Sequence, residues 1–185
     1  DSPTLRGCKF RLSAEDFEGR VLDHLGRMPF ALQENQFNLF DSHDIARLSS
    51  DESVPFDHWR GAVCLQFAMP GCPSIYYGDE TDIGGWFHSM EGCRFPMPWG
   101  RDFTGTEQYR MMKTLAKLKT SREALQTGGF KFLYAKGRTV AVSRFTEQEA
   151  CVAVLTTGEQ EQTVILPLGA VRASGIKGDV LGHTV

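Results

Sequence analysis

At 185 residues, with 41% apolar and 23% charged side chains, the chain suits one ordinary folded domain or one and a half small ones, and disorder is not expected. Twenty basic residues against 23 acidic give a net charge of −3 with no basic stripe, which argues against nucleic acid as a partner. No run of 18 apolar residues occurs, so no membrane-spanning helix is expected.

Residues 14–28 place Phe17, Val21, Leu22, Leu25 and Met28 at helical spacing; Ser13 with Asp16 forms a start signal and Pro29 a stop. The run Gln36–Asp41 then reads as a short strand, apolar enough to be buried on both faces. A second helix is expected over 57–69, stopped by Pro70-Gly71, and Ile75-Tyr76-Tyr77 reads as the next strand. This alternation predicts parallel strands in an α/β layer. Residues 78–105 form a long loop, and a loop of that length in a compact domain is usually functional or poorly ordered. A third helix is expected over 106–122. After Thr127-Gly128-Gly129 the composition shifts. Residues 130–134, 139–145, 151–155 and 163–166 are strand-length runs separated by turn residues, which predicts an antiparallel sheet or sandwich. A domain boundary is placed near residue 125.

The five cysteines show no C-x-x-C pair and no disulfide spacing. They lean toward a reducing compartment and so to the cytoplasm. There is no signal-like start, but the chain does not begin with Met, so a periplasmic or extracellular site stays open if a leader was removed.

The chemistry-bearing residues cluster after the two predicted strands. Ser42-His43-Asp44 follows one, and Tyr77-Gly78-Asp79-Glu80 follows the other. A carboxylate beside a His at a strand end suits a base, a metal ligand or a stabiliser of developing positive charge; the plainer role for Asp44 is a helix N-cap. Ser42, His43 and Asp44 are not a serine-hydrolase triad, because triad members meet through the fold and no G-x-S-x-G elbow is present. A metal site of His43, Asp44 and His58 matches no familiar ligand spacing. Tyr76, Tyr77, Trp86 and Trp99, with Asp79, Glu80, Glu91 and Arg94, suit a sugar cleft, since aromatic faces stack on sugar rings while carboxylates and Arg bind hydroxyls. The plainer roles are packing at the strand ends, with Asp79-Glu80 capping a turn or pairing with Arg94.

Three collinear segments resemble the alpha-amylase family of glycoside hydrolases, in its neopullulanase, cyclomaltodextrinase and maltogenic amylase branch. Phe37-Asn38-Leu39-Phe40-Asp41-Ser42-His43-Asp44-Ile45-Ala46-Arg47 is similar to the family's strand-seven motif N-L-L-x-S-H-D-T-x-R. Residues 70–80 resemble its strand-eight segment, and Gly92-Cys93-Arg94-Phe95-Pro96-Met97-Pro98-Trp99 its C-R-x-P-M-x-W loop. The likeness runs from about residue 15 onward. It implies an α/β plus β fold: the C-terminal portion of a (β/α)8 TIM barrel (strands seven and eight with their helices) over 1–124, then an antiparallel β-sandwich, possibly truncated, over 125–185.

The resemblance implies a retaining hydrolase of α-1,4, and in some members α-1,6, glucosidic bonds in maltodextrins or starch-type glucans. Such enzymes pair a carboxylate nucleophile with a carboxylic acid about 5 Å away. A third carboxylate favours the charged transition state. By motif match that residue is Asp44, with His43 beside it in the same subsite. Arg94 matches a sugar-contacting arginine; Tyr77, Glu80, Glu91, Trp86 and Arg47 complete the expected sugar-binding set. Met90-Glu91 stands where the family often has Asp-Pro, so the usual Asp–Arg clamp is altered, and Ile45 replaces the usual Thr.

The nucleophile and general acid belong to earlier barrel strands, for which 36 preceding residues leave no room, since a barrel takes roughly 200 residues or more. The chain is therefore expected to be an inactive piece of a longer enzyme, without metal or other cofactor. The alternatives are a non-catalytic carbohydrate-binding module and an assembly module that forms homo-oligomers through an exposed barrel edge.

Overall fold

The computed structural model describes residues 12–51, 54–85 and 93–181. Helix α1 (Ala14–Gly26) opens on a capping box: the Ser13 hydroxyl accepts from the Asp16 amide and the Asp16 carboxylate accepts from the Ser13 amide. A short helix α2 (Phe30–Glu34) leads into strand β1 (Phe37–Asn38). Helix α3 (Phe56–Ala68) crosses to strand β2 (Cys72–Pro73), which lies parallel to β1 with Phe37 opposite Cys72 and Asn38 opposite Pro73. Two ladder bonds close the pair, Cys72 N–H to Gln36 O at 2.7 Å and Ser74 N–H to Asn38 O at 2.8 Å. From α3, Gln66 donates to the carbonyls of Asn38 and Ser74, so the crossover helix is pinned to both strands.

Helix α4 (Glu107–Ser121) packs on α3, with Met111, Met112 and Leu115 against Trp59, Val63 and Phe67. After α5 (Glu123–Gln126) comes a three-stranded antiparallel sheet, β3 (Gly129–Lys136), β4 (Thr139–Phe145) and β5 (Ala150–Thr156), with β4 in the middle. Val142 faces the helices, in a cluster with Ala68, Phe17 and Phe132, while Ala141 faces Leu133, Leu166 and Val171 on the other side. Arg144 of β4 is fully buried and donates to the carbonyls of Gly128, Gln126 and Met69, tying the sheet to the end of α3. Lys119 of α4 adds a second cation there, 3.4 Å from the Phe67 and Met69 carbonyls, where a helix gathers partial negative charge.

The expected helix–strand alternation is present, but three expectations need correction. The first strand is two residues long, not six, and Phe37 and Leu39 are 74% and 51% exposed where burial on both faces was expected. Its free edge has no neighbour among the described residues. The second strand lies at Cys72–Pro73 instead of Ile75–Tyr77, because the chain turns there: the Asp79 amide donates to the Tyr76 carbonyl. The run 163–166 joins no ladder; Leu166 packs on the sheet while Ile165 is 88% exposed, so among the described residues this part of the chain forms one antiparallel sheet, where the family resemblance implied a sandwich.

Candidate functional site

The turn after β1 is built by its own side chains. The Asp41 carboxylate accepts from the Leu48 amide at 2.9 Å, Ser42 bridges to Ile45, and the Ser42 hydroxyl accepts from the Asp44 amide. His43 and Asp44 are thereby held at the tip, with side chains 62% and 70% exposed. No helix begins at Asp44, so the N-cap role does not apply. One Asp44 oxygen lies 3.1 Å from His43 Nε2, and the other accepts from Arg94 Nη2 at 3.3 Å. The structure thus brings His43, Asp44 and Arg94 together, across 50 residues of sequence.

Tyr77 joins them from the segment after β2. Its hydroxyl donates to the Phe95 carbonyl and that of Tyr76 to the Cys93 carbonyl, while the two rings meet edge to face at 4.7 Å. These bonds seat the segment around Arg94 against the strand ends. Trp99, further along it, is 79% exposed. The Glu80 carboxylate accepts from the Gly78 amide and so serves its own turn. Trp86 and Glu91 lie outside the described residues. Among the described residues no three His, Cys, Asp or Glu side chains converge to hold a metal ion, so His43, Asp44 and His58 do not form one.

Arg47 departs from the expected sugar-binding role. Its side chain is fully buried, so it cannot reach a ligand at the surface, and further chain could only bury it more. It donates to Asp79 and to the Tyr77 carbonyl, each at 2.6 Å, with its guanidinium over the Tyr76 ring. Asp79 therefore pairs with Arg47, not with Arg94. Burial raises the pKa of Asp41. Burial and the nearby Asp41 charge push Asp79 up to about 8 in spite of Arg47. One guanidinium balances one carboxylate, and the second keeps its proton. Asp41 was not among the expected site residues, and Asp79 was read for the sugar cleft or its own turn, not as the partner of Arg47; the signal that could have found the pair is a carboxylate closely following each apolar run, with an Arg between.

No protein-family model matches the chain. A cyclomaltodextrinase of Bacillus sp is 33% identical over 153 residues, covering 82% of this chain and 27% of that protein. Maltogenic amylases, a neopullulanase and amylopullulanases are further relatives. Among solved structures, the native debranching enzyme of Nostoc punctiforme superposes with a TM-score of 0.79 at 26% identity, over 88% of this chain and 33% of that one. A cyclomaltodextrinase structure gives 0.75 at 34%, over 84% and 27%. Together with the His-Asp turn, these matches define the class: over most of its length the chain is a relative of the alpha-amylase family of glycoside hydrolases. Within that family its relatives fall in the cyclomaltodextrinase, maltogenic amylase and neopullulanase branch. The chain spans about a quarter of the length of the curated relatives it matches.

Proposed function

We propose that this chain supplies the transition-state-stabilising carboxylate and part of the sugar cleft of a retaining glycosidase acting on α-1,4, and as an alternative α-1,6, glucosidic bonds of maltodextrins. The observation that carries this reading is Asp44, held outward at a strand end with one oxygen on His43 and the other on Arg94. In an oxocarbenium-like transition state the sugar gains positive charge, and a fixed carboxylate facing it costs no reorganisation at the moment of reaction. His43 and Arg94 keep that carboxylate in one orientation and offer donors to sugar hydroxyls. Tyr77, and Trp99 beyond it, offer faces for stacking.

The β1–β2 pair and α3 correspond in this reading to barrel strands seven and eight, the sheet to the domain that follows, and the nucleophile and acid to the rest of the enzyme. The free thiols of Cys64, Cys72 and Cys151 support a cytoplasmic setting. A second reading, an assembly module, is favoured by the unpaired edge of β1. There Phe37, Leu39 and Phe40, with Val21, Leu65 and Met69, line an open hollow of about 370 Å³.

Release of reducing sugar from maltoheptaose tests the first reading. The 185 residues alone are expected to release none, and the same residues grafted in place of the matching segment of the cyclomaltodextrinase are expected to support hydrolysis. Activity of the chain alone, lost on Asp44→Asn, would overturn the division of labour. An inactive graft with maltotriose binding by the chain alone would favour a module.

A further inference from the structure

We propose that a single proton shared between Asp41 and Asp79, next to Arg47, locks the His43–Asp44 turn in its outward position. The residues concerned hold the turn from both ends. Asp41 stands at its entrance and closes it through the Leu48 amide; Arg47 stands at its exit and grips Asp79 and the Tyr77 carbonyl of the neighbouring segment. Asp41, Arg47 and Asp79 are 7%, 0% and 8% exposed. With both carboxylates ionised, the cluster would carry a net negative charge away from water, a costly arrangement.

Among the described residues, the groups next to the two carboxyls do not offset that charge. Beside the two carboxyls is a cavity of about 10 Å³, room for one water at most. Its walls from α3 and α4 are Trp59, Val63, Gln66 and Met112, none of which titrates. From the segment after β2 the cluster meets Tyr76 and Tyr77, and from the Arg94 segment it meets Cys93; burial raises the pKa values of Tyr76 and Cys93, so both stay neutral. Arg94 and Asp44 also lie within electrostatic reach of Cys93, and they pair with each other. The neutral arrangement is a relay: Arg47 donates to Asp79, the proton on Asp79 is donated to Asp41, and Asp41 accepts from Leu48. Loss of that proton sets two like charges against each other. Asp41 is the movable one, and when it moves it gives up the bond that closes the turn.

Asp41, Arg47 and Asp79 are thus positioning residues. Their effect on catalysis rests on the proposed role of Asp44, but the lock itself does not.

The sign of the pH effect follows from where the proton sits. The unfolded chain loses it in the ordinary carboxylate range near 3.8, and the folded chain only at about 8. Stability contributed by this site therefore falls as pH rises between those values and is level above.

NMR on the 185-residue chain tests the lock. The Asp79 carboxyl carbon is expected to titrate near pH 8, and the His43 ring resonances to show an inflection at the same pH. In Asp79→Asn, whose amide mimics the protonated acid, the fold and the turn should persist and that His43 inflection should vanish. Titration of Asp79 in the ordinary range, or a His43 inflection that survives in Asp79→Asn, would overturn the proposal. If that variant does not fold, the wild-type Asp79 titration decides alone. Neither outcome bears on whether the grafted chain hydrolyses maltodextrin, so the two proposals fail separately.

Discussion

Asp44 and Arg47 stand three residues apart and have opposite surroundings. Asp44 is at the tip of a turn with its carboxylate in the open; Arg47 is beneath the same turn with no exposure at all. The first position was legible in the sequence, because the His-Asp pair follows an apolar run and matches a family motif, although pattern alone left a helix N-cap as the plainer role. The second was not. A motif spacing fixes which residues are near one another, not which way each side chain points, and here the Asp41–Leu48 bond curls the chain so that Arg47 turns inward. For the same reason Asp79, read as part of a sugar cleft, a turn cap or a partner of Arg94, pairs with Arg47. Arg47→Met leaves the one negative charge of the Asp41–Asp79 pair without its cation and is expected to cost about 3–5 kcal/mol of stability. Urea unfolding of the two proteins checks this; a loss below about 1 kcal/mol, the value of an exposed pair, would contradict the role given to Arg47.

The elements were legible to different degrees, and the difference is physical. Helices α1, α3 and α4 make their hydrogen bonds internally, so apolar spacing and end signals such as Ser13, Pro29 and Pro70-Gly71 suffice to locate them. Strands β1 and β2 depend on neighbours. Each has one partner, so the apolar runs extend well beyond the two-residue ladders. The run 163–166 has the composition of a strand, yet it pairs with neither β3 nor β5, the two edges of the sheet. Between the elements, close approach replaces periodicity as the governing constraint. Gly85 accepts from the Arg47 amide through its carbonyl, and a Cβ at Gly85 would come within 2.8 Å of Arg47 Cγ and 2.9 Å of Cδ. Gly85→Ala must therefore push Arg47 off Asp79. It is expected to lower stability by about 1–3 kcal/mol, and in an Arg47→Ala background, which has neither Cγ nor Cδ, to cost much less, since the clash and the pairing are one interaction. Equal costs in the two backgrounds, measured by thermal unfolding, would contradict it.

At the scale of the whole molecule, a helical layer and an antiparallel sheet share a core, joined by the Phe17–Phe132 edge-to-face contact and by Arg144 reaching from β4 to the end of α3. The sequence showed the order of these parts and the shift in composition between them. It did not show that, among the described residues, one antiparallel sheet would form where the family resemblance implied a sandwich, because covering a sheet face depends on segments distant in the chain. The apolar edge of β1 lines an open hollow of about 370 Å³, and Asp44 stands in the turn that follows the same strand. The proposed function joins these facts: a strand pair awaiting neighbours, with one finished corner of a sugar site. The most direct test is the rate of maltoheptaose hydrolysis by the chain grafted into the cyclomaltodextrinase, compared with the same graft carrying Asp44→Asn. If Asp44 stabilises the developing charge, kcat falls by about 10²–10³, a loss of the size seen when one electrostatic group is removed from a transition state, while binding of maltotriose, a neutral sugar, changes far less. A kcat within a few-fold of the unsubstituted graft would contradict the account.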